Sequence, residues 1–178
     1  MIARYLGDIL YSMILMTHAI AGAAAARLFP SNPAAAFIAA FLSHFVLDAI
    51  PHWNYRLLSH ENNPSDPLNG DMVFGKKFII DISKIFIDFA AGIALSVWLF
   101  SPKSDYQASI LILGALGGML PDALQFVYWK LKIEPFRSLQ KFHRWVHTKY
   151  EIKNHLVLGV TSQILIIAII VAASRLLG

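Results

Sequence analysis

Five apolar runs, at about residues 9–28, 34–50, 78–100, 107–129 and 155–175, constrain this chain more than any other feature of it. About 20 apolar residues is the length an α-helix needs to cross the hydrocarbon core of a bilayer. The second run is short for that, and it ends at Pro51, which a helix does not carry through. Only 15% of the 178 residues are charged and 57% are hydrophobic, against about 25% charged in a soluble domain. The expectation is an all-α, polytopic membrane helix bundle with about five transmembrane helices, forming one integral membrane domain over 1–178. Pro30-Ser31-Asn32-Pro33 is turn chemistry, so the first two helices form an antiparallel hairpin. The N-terminal run reads as a retained first helix and not as a cleaved signal. Arg4 and Asp8 precede it, and His18 interrupts its apolar core. The basic, aromatic stretch 130–154 is expected to carry a short cytoplasmic interfacial helix between Pro135 and Tyr150.

Charge sets the orientation. Eleven Lys and Arg fall at the N-terminus and in the two long loops, three on the other side, and Lys84 lies inside the third run. By the positive-inside rule the N-terminus and both long loops face the cytoplasm, in a multi-pass protein of a bacterial-type inner (plasma) membrane. The net charge of +4 and pI near 9.4 fit basic loops against anionic headgroups, so no nucleic-acid partner is expected. Trp53, Tyr55, Trp98, Tyr128, Trp129 and Trp145 lie near helix ends and read as an aromatic belt. Gly114, Gly117 and Gly118 read as a surface for close helix approach.

Ser43-His44-Phe45-Val46-Leu47-Asp48-Ala49-Ile50-Pro51-His52 then stands out, because it puts two imidazoles and a carboxylate into apolar surroundings. Ionisable groups at membrane depth are costly and mark functional sites. On a helix His44, Asp48 and His52 fall within an arc of about 80°. His44 and Asp48 are four apart, as are His143 and His147, a spacing at which two side chains can grip one ion. His52 lies about 12 Å along the helix from His44, so it shares their ion only if Pro51 bends the chain. The topology brings His18, His44, Asp48, Asp122, His143 and His147 towards one depth, near the cytoplasmic side. The chain has no cysteine, so a metal here is held by His, Asp or Glu, which suits zinc or another first-row divalent ion.

Other polar residues have plainer readings. His60 is a solvated loop residue and His155 an interface anchor. Asp81, Lys84 and Asp88 share a helix face and form an intramembrane ion pair, with one aspartate left over for a ligand or supporting role. Arg144 either anchors a lipid phosphate or clamps a substrate phosphate.

Thr17-His18 with Gly22, the run Gly117-Gly118-Met119-Leu120-Pro121-Asp122, the run His143-Arg144-Trp145-Val146-His147-Thr148, and Ser43-His44 with Asp48 together resemble the bacterial inner-membrane metal-dependent hydrolases. That family has glycine and serine where this chain has Trp145 and Thr148. The His-x-x-x-Asp pair is more distantly similar to the ligand pattern of zinc-dependent phospholipases C and P1-type nucleases, all-helical enzymes that hold metal between helices. The resemblance implies a membrane hydrolase of an ester or phosphoester. A divalent metal, zinc foremost, would be held by His18, His44, Asp48, Asp122, His143 and His147. His52 would serve as general base or second-metal ligand, Asp122 and Arg144 would act at the reacting group, and the substrate would be a membrane lipid or lipid-linked molecule. Two other classes stay open: transport of a metal ion or protons through the same residues, and a structural membrane protein with a fixed metal staple.

Overall fold

The structure is a computed structural model that describes residues 11–13, 15–52, 54–61, 68, 70–148 and 156–177. It is all-helical apart from four very short strands. In chain order the elements are β1 (Tyr11–Met13), α1 (Leu15–Ala26), α2 (Pro33–Asp48), β2 (Asn54–Arg56), β3 (His60–Glu61), β4 (Asp71–Met72), α3 (Lys76–Phe100), α4 (Asp105–Leu131), α5 (Phe136–Val146) and α6 (Leu156–Leu177). β1 pairs antiparallel with β2, and β3 with β4.

The expected hairpin of α1 and α2 is present. Asn32 caps α2 by accepting the Ala35 N–H at 3.1 Å, and Pro33 opens the helix, where its missing N–H costs nothing. The expected five spans are corrected. Among the described residues two helices, Asp105–Leu131 and Val157–Leu176, are long and apolar enough to cross a membrane. With 12 and 16 residues, α1 and α2 reach only about 18 and 24 Å. α3 has the length, but Lys76, Lys77, Asp81, Lys84 and Asp88 crowd its first half. The first helix starts at Leu15, later than its apolar run, because Tyr11–Met13 pairs as a strand with Asn54–Arg56. Arg4 and Asp8, and with them the retained-signal reading, lie outside the described residues, as do Trp53, Tyr150 and His155. The interfacial segment is helical over Phe136–Val146 and turns Phe142 and Trp145 outwards.

α1 is the axis of the bundle. Ten of its 12 residues are buried, and α2, α3, α4 and α6 all pack on it. Its small residues allow this. A Cβ at Gly22 would lie 2.3 Å from the Gly114 carbonyl oxygen, and a Cβ at Gly118 would lie 2.3 Å from the His18 carbonyl oxygen. The backbones of α1 and α4 therefore touch, as small-residue interfaces permit. Gly117 faces α2, against Phe37 and Ala40.

The two aspartates of α3 hold other elements in place. Asp88 accepts the free N–H groups of Leu15 at 2.7 Å and Met16 at 3.1 Å, and so caps α1 from a different helix. Asp81 accepts the Ser59 N–H at 2.7 Å and its hydroxyl at 2.8 Å, with Lys84 3.4 Å away. The expected ion pair is present. The remaining aspartate is a helix cap, and its two bonds leave the expected ligand role without support.

α6 has an inverted pattern of burial. Gly159, Gln163 and Ser174 face inwards, while Val157, Leu158, Ile164, Leu165, Ile169 and Leu176 face out. α3 likewise buries Asp81, Gly92 and Ser96 and exposes Ile79, Phe86, Ile87 and Trp98. The aromatic belt holds only in part. Trp98 and Trp145 are exposed, but Tyr128 and Trp129 are buried in a cluster with Leu57 and Met72.

Two substitutions test this frame. Gly118→Ala must push α1 off α4, so we expect a loss of about 1–3 kcal/mol, read as a lower melting temperature in detergent. Gly117→Ala meets only side-chain and carbonyl atoms at 3.1 Å or more and should cost less. Asp88→Ala removes the cap of α1 and should cost about 1–2 kcal/mol, with Asp88→Asn closer to the unsubstituted protein.

Candidate metal centre

Four helices bring five donors to one buried point. α1 supplies His18, α2 supplies His44 and Asp48, α4 supplies Asp122, and α5 supplies His143. His18, His44 and Asp48 are fully buried or nearly so. His44 Nε2 lies 3.2 Å from His143 Nε2, 3.1 Å from Asp48 Oδ2 and 3.7 Å from Asp122 Oδ1. His18 Nε2 is 3.4 Å from Asp48 Oδ1, and the His18 ring stacks on that of His44 at 3.9 Å. At 2.6 Å, His143 Nε2 and Asp48 Oδ2 are as close as a short charge-assisted hydrogen bond.

These separations have a direct reading. Zinc bound tetrahedrally at about 2.05 Å from each donor sets its donors about 3.3 Å apart. The His44–His143 and His44–Asp48 distances are close to that edge. Two imidazole nitrogens at this distance either share a proton or face a common ion.

Local backbone chemistry sets the tautomers. His44 donates its Nδ1–H to the Gly118 carbonyl at 2.8 Å. Its Nε2 therefore carries the lone pair, which is how metal-ligating histidines are oriented. Gly118 sits in the turn before Pro121, inside the continuous helix α4. Gly118 thus serves twice, packing on α1 and orienting His44.

His52 and His147 make a second group with Asp48. One ligand atom from each of the three lies within 4.8 Å of the others. α5 ends at Val146, and His147, at φ −58° and ψ 129°, leaves the helical path. The expected sharing of one ion by His143 and His147 on a continuous helix is thereby corrected. Their ring centres are 6.3 Å apart, whereas His147 and His52 are 5.0 Å apart. The Thr148 N–H donates to the Asp48 carbonyl at 2.8 Å and holds this chain against the end of α2. His52 donates Nδ1–H to the Ile50 carbonyl at 2.7 Å, and His147 donates to the Thr148 carbonyl at 3.0 Å. Burial pushes the His52 imidazole down to about 4, so it is neutral at pH 7 with its lone pair on Nε2.

Both His18 ring nitrogens, His52 Nε2 and Asp122 Oδ2 are buried without a hydrogen-bond partner. Each such atom costs about 1–3 kcal/mol. A divalent cation satisfies lone pairs of this kind, so the donor set fits a metal.

The other expected residues sit elsewhere. Arg144 is exposed on α5, about 100° round the helix from His143. His60 is half-buried against the Trp129 ring at 4.8 Å, with burial lowering its basicity, and so is not the solvated residue its polar loop suggested. Gln140, one turn before His143, is 1% exposed with both amide atoms unpartnered. Its place in a basic helix gives no local sign of this burial. A lone glutamine three residues before a histidine was the signal available.

Comparisons of the chain with protein-family models, with curated proteins and with solved structures return no match.

We expect His44→Ala and His143→Ala each to lower zinc affinity at least about 100-fold, since even supporting residues of a metal site cost 10–100-fold. Equilibrium competition with a chromogenic chelator, read on detergent-purified protein, checks this. Unchanged affinity in either variant would remove that residue from the donor set.

Proposed function

We propose that this protein is a membrane-embedded, divalent-metal-dependent hydrolase of a lipid-linked ester or phosphoester, related to the inner-membrane hydrolases its motifs resemble. The observation that carries this reading is the buried convergence of His18, His44, Asp48, Asp122 and His143 with lone pairs left unsatisfied. These residues would hold the ion, and zinc suits the nitrogen and oxygen donors best. Such an ion supplies Lewis acidity and lowers the pKa of water towards about 7.

A membrane setting is supported by the inverted pattern of α6 and α3. Soluble monomers rarely expose contiguous apolar patches of more than a few hundred Å², whereas Val157, Leu158, Ile164, Leu165, Ile169 and Leu176 of α6 and Ile79, Ile80, Ile82 and Ile87 of α3 all face outwards. α1 is sheathed by protein, so its 12 residues need not meet lipid along their length. α5, with Phe142 and Trp145 exposed beside Arg137, Lys141 and Arg144, has the pattern of a helix lying in the interface. Arg144 there is suited to steady a lipid phosphate.

A cavity of about 810 Å³ supports a lipid-linked substrate. It lies between α3 and α4, and of the residues that line it only Asp122 carries a charge. Phe37, Ile85, Phe86, Phe89, Leu116 and Phe126 make its walls apolar. This is the volume of a small-molecule pocket, apolar enough for a hydrocarbon chain. Asp122 joins it to the donor cluster, since its Oδ1 is 3.7 Å from His44 Nε2. A chain lying in the cavity would present its polar end to the donors.

Turnover of a bacterial lipid extract by the purified protein, with added Zn²⁺ or Mn²⁺ and products read by mass spectrometry, tests the reading. We expect a released headgroup or acyl product that is lost in His44→Ala and reduced in Leu116→Trp, which fills the cavity. Protein that retains no metal under zinc-replete conditions and releases no product overturns it.

A further inference from the structure

We propose that Asp48, His52 and His147 hold a second divalent ion, with Asp48 bridging it to the ion of the His18, His44, Asp122 and His143 group. The proposal rests on reading that first group as a metal centre, and it deepens that reading by naming the substrate class.

Three observations carry it. The first is the state of His52. It is 0% exposed and its Nε2 has no partner. A general base needs a proton acceptor's path to substrate or water. A buried lone pair grouped with a carboxylate and a second imidazole is instead a ligand in want of a cation.

The second is the way both imidazoles are held. His52 and His147 each spend Nδ1–H on a backbone carbonyl, at 2.7 and 3.0 Å. His44 does the same in the first group. The matching arrangement frees Nε2 in all three, and a carbonyl-bound Nδ1–H is the usual support of a ligating histidine. The backbone also fixes the pair before any ion arrives, through the Thr148 bond to Asp48 and the His147 N–H bond to the His143 carbonyl at 2.9 Å.

The third is the position of Asp48. Its Oδ1 faces His18 and its Oδ2 faces His44 and His143, yet it also completes the group with His52 and His147. One carboxylate belonging to two donor groups is the arrangement of a bridge, and paired ions in hydrolytic sites sit about 3.5–4 Å apart.

Charge then selects the substrate. The six other donors are one carboxylate and five imidazoles. Two divalent ions therefore bring four positive charges against the two negative charges of Asp48 and Asp122. The surplus attracts an anion, so a phosphoester headgroup suits the site better than a neutral carboxylic ester.

Metal content per chain is the test, measured by inductively coupled plasma mass spectrometry on detergent-purified full-length protein loaded with Zn²⁺ and desalted. We expect two ions per chain, falling to one in His52→Ala and in His147→Ala. One ion in the unsubstituted protein, or two retained in both variants, overturns the second site and leaves the hydrolase reading intact. No ion at all removes both. Because a variant could fail to fold, the unsubstituted protein loaded with Mn²⁺ gives an independent reading by electron paramagnetic resonance. A spin-coupled pair supports the Asp48 bridge, and the six-line signal of isolated ions alone overturns it.

Discussion

The contact of the α1 backbone with the α4 backbone is the constraint on which the rest depends. Gly22, Gly114 and Gly118 leave no room for a single methyl group between the two helices. Bringing the axes this close has a chemical result as well as a packing one. His18 lies one turn from Gly22 on α1, and Asp122 lies one turn from Gly118 on α4. The spacing that lets the backbones touch is therefore the spacing that carries an imidazole and a carboxylate into the same pocket. The Gly118 carbonyl, by accepting Nδ1–H, then orients His44 from α2.

A cluster of this kind is expensive to build from polar groups alone. Four imidazoles, of His18, His44, His52 and His143, and the Asp48 carboxylate are nearly or fully dehydrated here, and both His18 nitrogens and His52 Nε2 meet no hydrogen-bond partner. Interiors tolerate such groups where something compensates them. The backbone hydrogen bonds of His44, His52 and His147 act in one direction, each taking up Nδ1–H on a carbonyl and leaving the lone pair on Nε2. Stability and ligation thus rest on the same atoms, and a cation would strengthen the fold by binding only its native form.

Much of the centre was legible because helical periodicity is short-range. His44 and Asp48 sit four apart within one regular helix, so their shared face could be read from spacing alone. The glycines of α4 were legible for the same reason, since a row of small residues on one face has few other uses. Failures came where a tertiary contact overrides local pattern. The apolar run before Leu15 gives no hint that Tyr11–Met13 pairs with a strand from beyond Pro51. Asp88 looks like a spare acid until α1 is seen to begin against it. His147 follows His143 at helical spacing, yet the helix stops one residue short, and that step sends it to His52. The length of the runs also misled. Apolar residues of α1 are apolar because protein surrounds them, which requires fewer residues than a bilayer does.

The order of the donors along the chain has a consequence for biosynthesis. The first belongs to α1 and the last follows α5, so the pocket has no complete wall until His147 has left the ribosome. α1 emerges earliest and settles late, waiting for the carboxylate of α3 that terminates it and for the glycine face of α4. A nascent chain stopped before α5 would hold His18, His44 and Asp48 without the imidazoles of His143 and His147 that complete their groups.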